Sequence, residues 1–354
     1  MAGTMKAIVK TAAGAGALEL RDVPVPEISG RDVLVRVRKA AICGTDVHIF
    51  KWDAWAQRTI KAPMTIGHEF VGEIVEVGGE VRGLEPGMLV SSEGHVVCGR
   101  CRWCITGHQH LCRATSGIGV NRNGIFAEYA SIPATNIWRC DKRLPENVLA
   151  VQDPLGNAVH TALTFNVQGE DVLITGAGPI GLMSIPILRM TGARNVVITD
   201  VNPGRLALAR ELGATEALDV RSEKIADAME RLGMAEGFDV GLEMSGNPAA
   251  FSGMVDCMAN GGKIAILGIF SDRIEIDWNK VIFRALTLKG IYGRQMYDTW
   301  YKMTSLLQSG LAEKVAKTIT HEFDHTDFQK GFDAMAEGKA VKVILDWTTA
   351  GGKK

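Results

Sequence analysis

The sequence predicts a doubly wound α/β domain with a six-stranded parallel sheet, joined to a second, β-rich domain, and three observations carry that prediction. The stretch Asp171 to Gly181, DVLITGAGPIG, runs an apolar strand pattern into a glycine-rich turn, with Pro179 where a helix would begin. From there to Tyr292 strand and helix patterns alternate, as parallel sheets with helical crossovers require. The third observation is size. At 354 residues and 46% hydrophobic content, the chain is larger than one core usually supports, since single cores stop growing at roughly 250–300 residues.

Composition narrows the function. A formal net charge of -1 and a pI of about 6.7 give no global field to hold nucleic acid or an acidic membrane, so neither partner is expected. The segment MAGTMKAIVK lacks the apolar core of a signal peptide, and no apolar run reaches the ~18 residues that span a bilayer. The expectation is a cytoplasmic protein. Seven cysteines then point to metal or catalytic use rather than a disulfide framework.

Taken in order, the chain opens with alternating stretches between Lys6 and Arg38 that read as strands, separated by turns at Pro24, Pro26, Ser29 and Gly30. Cys43 follows in AICGTDVHIF, with Thr45 and His48 just downstream, and His68 and Glu69 stand in MTIGHEFVGEIVEVG. Neither stretch is a metal motif by local spacing. They hold one metal only if the fold joins them; otherwise Cys43 is a buried thiol, His68 and His48 are core histidines and Thr45 a turn residue.

Cys98, Cys101, Cys104 and Cys112 are different, because C-x-x-C-x-x-C and a fourth cysteine share one short loop. Four thiolates match a closed tetrahedral zinc site, which keeps no open position and serves structure. An iron–sulfur cluster is the alternative, though the three-residue gap and terminal Cys-Pro of ferredoxin runs are missing. Cys140 and Cys257 have no patterned neighbours, and His95 either shapes a substrate pocket or buttresses the cysteine loop. The stretch Asp153 to Leu163 reads as a hinge, which sets the expected domains at 1–155 with 296–354, and 156–295.

In the second domain Gly176, Gly178 and Gly181 complete G-x-G-x-x-G. The first permits the tight turn, the second admits a pyrophosphate close to the backbone, and the third lets helix pack on strand. Phosphates then face the free N–H groups of the helix N-terminus. Asn195 to Asp200, NVVITD, ends in an acid about 20 positions beyond the last glycine, as the fingerprint requires. Asp200 can accept hydrogen bonds from a ribose diol and would repel a 2′-phosphate, so NAD is the expected cofactor. Arg205 either accommodates a 2′-phosphate, flanks the adenosine or is an exposed helix residue. Further strands are expected over 217–220, 238–244, 263–269 and 286–292, and Pro186 inside the first helix removes one N–H and should kink or tighten the turn there. An amphipathic helix is expected over 296–307. The last strand, VKVIL, has no place in a completed six-strand set and is expected to return to the first domain.

With these features in view, the chain resembles the medium-chain zinc-dependent alcohol dehydrogenase family along nearly its whole length. AICGTDVHIFKWDAW, SSEGHVVCGRCRWC, GNAVHTAL, GFDVGLEMSG, IDWNKVIF and GIYGRQMYDTWYKM carry the resemblance. It implies a Rossmann nucleotide domain and a GroES-like catalytic domain. It also implies one catalytic zinc at Cys43, His68 and Glu69, and one structural zinc in the cysteine loop. Asp153, where relatives often carry Glu, would exchange with a ligand or steer protons, and Thr45 with His48 would relay them. NAD contacts are implied at Ile180, Asp200 and Arg205, at Leu267, Gly268 and Ile269, and at Ile291 and Tyr292. The implied reaction is oxidation of L-threonine at its β-hydroxyl to 2-amino-3-oxobutanoate by a homotetramer, with a ligase that consumes this product as a functional partner. A sorbitol- or butanediol-type polyol dehydrogenase is the alternative, and a non-catalytic dinucleotide-binding relative is a further one.

Overall fold

The structure is a computed structural model that describes residues 3–270 and 273–350. The described residues form two compact units, the first running to Pro154 and resuming at Ile319, the second covering residues 155–318. The sequence pattern suggests a return to the first unit at residue 296. In the structure 296–318 stay with the second unit, where helix Ala312–Ala316 packs on helix Pro179–Met190, and the return begins at Ile319.

The first unit is built on the long strand Asp32–Ile42, whose alternating DVLVRVRKAAI buries Val33, Val35, Val37 and Ala40. The sheet order is Ile137–Arg139, Leu89–Ser92, Glu69–Val77, Asp32–Ile42, Lys342–Asp346 and Ile319–Asp324, with Tyr129–Pro133 also paired to Asp32–Ile42. Its core gathers Phe70, Ile74, Phe126, Phe332, Val343 and Leu345. Register decides which side chains meet at the end of this strand. Ala41 stands opposite Glu69 and Val343 opposite Ile42, so Cys43 leaves the sheet beside Glu69 on one side and Lys342 on the other. The last strand thus completes the first unit's sheet. Its parallel neighbour Ile319–Asp324 is not visible in the sequence, because His321, Glu322 and Asp324 break the apolar pattern.

The second unit holds six parallel strands in the order Glu216–Asp219, Asn195–Asp200, Asp171–Thr175, Phe238–Glu243, Met258–Ile266 and Thr287–Gly290. This is the doubly wound arrangement, with the order reversing at the central strand. Val172, Leu173 and Ile174 are fully buried between helical layers. The strand expected over 263–269 ends at Ile266, which leaves Leu267, Gly268 and Ile269 in a loop. The carboxyl ends of the parallel strands share one edge of the sheet, where ligands of such folds bind.

Candidate functional site

Strand register brings the dispersed residues together. One ligand atom from each of Cys43, His68 and Glu69 lies within 4.8 Å of the others. Cys43 caps the helix Gly44–Lys51, and its N–H donates to Asp46 Oδ2 at 2.9 Å. Asp46 is fully buried, and its Oδ1 lies 3.9 Å from His68 Nδ1. Glu69 Oε2 lies 2.5 Å from Lys342 Nζ, and both side chains are buried. Asp153, buried at the start of helix Gln152–Ala162, acts on the same cluster through its charge. Burial pulls the His68 imidazole down, but the charges of Cys43, Asp46 and Asp153 outweigh it and hold its pKa at about 10. Burial likewise pushes the Glu69 carboxyl up. So much buried negative charge calls for a cation. Among the described residues, Glu69 Oε1 and His68 Nδ1 have no hydrogen-bond partner. One sulfur, one imidazole and one carboxylate, with a fourth position left open, are the donors of a catalytic zinc site.

Thr45 Oγ1 lies 3.8 Å from Cys43 Sγ. His48 points outward with its side chain 60% exposed, and its Nδ1 is 2.5 Å from Asp53 Oδ2. Asp53 also caps the helix Ala54–Thr59 by accepting the N–H groups of Trp55 and Ala56 at 3.0 Å. The Ala56 N–H and, after it, His48 hold the Asp53 carboxyl below its usual range. Among the described residues no direct hydrogen bond joins Thr45 to His48.

The four clustered cysteines converge. Cys98 to Cys104 measures 4.0 Å, Cys101 to Cys104 3.6 Å and Cys112 to Cys98 3.6 Å between sulfurs. A tetrahedron with Zn–S bonds of about 2.3 Å has edges of about 3.8 Å, so the set fits one zinc ion rather than a cluster that spreads its thiolates over several irons. Backbone N–H groups of Arg100 and Cys101 bring the Cys98 thiol down to about 6. Cys101→Ser is expected to lower the melting temperature by several degrees and to abolish zinc retention in this loop, because such an ion contributes folding free energy directly. Thermal unfolding with metal analysis checks this, and unaltered stability would contradict it.

At the sheet edge of the second unit, Gly176 has φ +93 and a Cβ there would lie 2.9 Å from Ser245 Cα. A Cβ on Gly181 would lie 2.1 Å from Gly176 O, whereas Gly178 faces open space. Gly178 caps the helix Pro179–Met190 without a side-chain hydrogen bond, so the N–H groups beside Ile180 stay available to a phosphate. Asp200 accepts from the N–H of Ala177 at 2.6 Å through Oδ2, and from Val201 at 2.7 Å and Asn202 at 2.8 Å through Oδ1. This fixes its carboxylate at the strand end. Arg205 lies in the next helix, and its buried Nε has no partner among the described residues. Leu267 and Gly268 donate to the Glu243 carbonyl at 2.9 and 3.0 Å. Ile269 is 93% exposed, and Ile291 and Tyr292 come directly after the last strand of the sheet. All these positions stand on the carboxyl edge of one sheet. His95 pairs with buried Glu93 at 3.5 Å.

Asp46, Asp53 and Lys342 were missed by sequence reasoning. Asp46 and Asp53 look like ordinary helix-start acids, and their roles emerge only from the side chains they meet. The one signal for Lys342 is a lysine set between Val341 and the apolar run Val343, Ile344 and Leu345 at the start of the strand Lys342–Asp346.

Comparison with known proteins shows the same division. Residues 29–142 match the alcohol dehydrogenase GroES-like domain, and residues 179–309 match the zinc-binding dehydrogenase family. L-threonine 3-dehydrogenase from Aeromonas salmonicida (strain A449) is 59% identical over 97% of this chain and 99% of its own length. The enzyme of that name from Anaeromyxobacter sp. (strain Fw109-5) is 56% identical over 98% of this chain and 100% of its own. Among solved structures, a putative zinc-binding dehydrogenase from Sinorhizobium meliloti 1021 bound to NADP is 28% identical, with a TM-score of 0.89 over 97% of this chain and 99% of that one. A short chain alcohol dehydrogenase from E. coli CFT073 complexed with NADH is 26% identical, with a TM-score of 0.89 and the same coverage of both chains, 97% and 99%.

Proposed function

The chain belongs to the zinc-binding dehydrogenase family, and on that premise we propose that it oxidises L-threonine at Cβ, passing a hydride to NAD and forming 2-amino-3-oxobutanoate and a proton. The observation that carries the substrate is identity of 56–59% to L-threonine 3-dehydrogenases across nearly the full chain. NAD reduction on adding L-threonine, with aminoacetone appearing as the β-keto acid loses carbon dioxide, tests this. No NADH under those conditions would overturn it.

Cys43, His68 and Glu69 would hold the catalytic metal. Zinc held there would supply the Lewis acidity that eases loss of the alcohol proton, and NAD held at the glycine-rich edge would supply the hydride acceptor. Asp46 fixes one of these ligands directly by accepting the Cys43 N–H, and its other oxygen stands 3.9 Å from His68 Nδ1, where its charge acts on the ring without a hydrogen bond. Thr45, beside the Cys43 sulfur, accepts the hydroxyl proton as it gives up its own, and since no direct hydrogen bond joins it to His48 among the described residues a bridging water carries that proton to His48, which releases it to solvent. Asp53 holds Nδ1 of His48 and so leaves Nε2 to carry the proton. Asp153 adds a carboxylate near the cluster that steers protons or exchanges with a ligand. A second zinc, in the cysteine loop, serves the fold.

Asp200 selects NAD. Its carboxylate is held by three backbone N–H groups and keeps one lone pair, on Oδ2, for a ribose hydroxyl. Asp200→Ser is expected to weaken NAD binding by about tenfold or more, the worth of a charge-assisted hydrogen bond, and to relax discrimination against NADP. Steady-state kinetics with both cofactors checks this; a wild type that uses NADP as well as NAD would contradict it.

The assembly is a homotetramer. The edge strand Thr287–Gly290 is largely exposed, and the helix Trp278–Phe283 before it presents Trp278, Ile282 and Phe283, the last 83% exposed. An exposed apolar helix face, and a sheet edge that is unpaired among the described residues, both need cover. Among the described residues no helix is long and apolar enough to cross a membrane. The setting is the cytoplasm, where a ligase that consumes the labile keto acid would prevent its loss.

A further inference from the structure

We propose that Lys342 is a positioning residue that shares the Glu69 carboxylate with the metal and so keeps Glu69 an exchangeable ligand. This rests on Cys43, His68 and Glu69 being the ligands of the catalytic zinc. Lys342 is only 2% exposed at its side chain, its Nζ lies 2.5 Å from Glu69 Oε2, and it donates to the Ile42 carbonyl at 2.9 Å. Ile42 immediately precedes Cys43. The ammonium therefore touches the side chain of one ligand and the strand end that carries another. Register makes this unavoidable, since Lys342 and Glu69 flank the same end of strand Asp32–Ile42.

Packing does not account for the charge. Methionine would fill much the same space without the cost of burying an ammonium. The function of the charge lies in its partner. Glu69 has two oxygens, one against Nζ and one, Oε1, without a hydrogen-bond partner among the described residues. Cys43, Asp46, Glu69 and Asp153 can bring up to four negative charges to a dication. Left uncompensated, that charge would hold the ion tightly, saturate it with anionic donors and blunt its pull on a substrate hydroxyl. A fixed cation beside Glu69 offsets one charge and draws the carboxylate partly away.

The test uses full-length enzyme stripped of metal and reloaded with zinc, with the dissociation constant read by chelator competition. Lys342→Met is expected to bind catalytic zinc at least about tenfold more tightly and release it more slowly, because a nearby positive charge in a poorly screened site is gone. Lys342→Arg, which keeps the charge, should stay near wild type. The visible spectrum of the cobalt-substituted Lys342→Met enzyme should shift as a carboxylate joins the ion. Should Lys342→Met fold poorly, Lys342→Gln keeps a donor for the Ile42 carbonyl without the charge and should show the same tightening. Zinc binding that is unchanged or weaker in the neutral variants would overturn the proposal and leave Lys342 a strut between strands. If Cys43→Ser keeps the wild-type zinc content, the ligand assignment itself fails and the proposal falls with it.

Discussion

Replacing Cys43 with serine is expected to lower turnover by roughly 10³-fold or more while the fold stays intact. A neutral hydroxyl is a poor donor to zinc at neutral pH, and Lewis-acid stabilisation worth several kcal/mol corresponds to about three orders of magnitude in rate. The fold should survive because Cys43 sits at the end of strand Asp32–Ile42, and the packing that holds this strand comes from Val33, Val35, Val37 and Ala40. The substitution should leave one zinc per chain, in the cysteine loop, and a nearly unchanged circular dichroism spectrum. Cys101→Ser should do the reverse, costing stability before chemistry. Equal turnover by wild type and Cys43→Ser would remove the dispersed residues from the catalytic account.

The contrast between the two cysteine sets also explains what was legible in the sequence. The cysteine loop places four ligands within fifteen positions, so spacing alone specifies it. The glycine fingerprint is nearly as local, because Gly181 answers to the Gly176 carbonyl five positions back and Gly176 to its own turn, at φ +93. Cys43 and Glu69 meet only through the pairing of two strands, and Lys342 arrives from the far end of the chain through a third. Such pairings leave no periodic trace, so the residues alone could not join them, and only the family resemblance grouped Cys43 with His68 and Glu69. Asp53 was hidden for another reason. Its capping task is visible in sequence, but the turn at Trp52, with φ 55 and ψ 46, is what swings it back against His48. The boundary at residue 296 misplaced a helical segment because its amphipathic pattern does not say which core it serves.

L-Threonine is expected to exceed ethanol as substrate by about 10⁴-fold in kcat/KM. A site that hydrogen-bonds an ammonium and a carboxylate leaves those buried partners unsatisfied when a plain alcohol enters, and sites of this kind reject analogues lacking the group by about that factor. Polyols such as sorbitol and 2,3-butanediol offer hydroxyls in place of the charged groups, so they should fare little better. The segments WDAWAQRT, EGH and GRQMYDTWYKM have no metal or phosphate task of their own, which leaves substrate enclosure or subunit contact as their use. Trp52 and Trp55 in the first lie beside His48, on the proposed proton path.

Substrate choice is tested most directly by kcat/KM for NAD reduction by the zinc-loaded enzyme, measured side by side with L-threonine, sorbitol, 2,3-butanediol and ethanol. L-Threonine should be preferred by orders of magnitude and should yield aminoacetone alongside NADH. A higher kcat/KM on either polyol would contradict this and leave a zinc-binding dehydrogenase of different specificity.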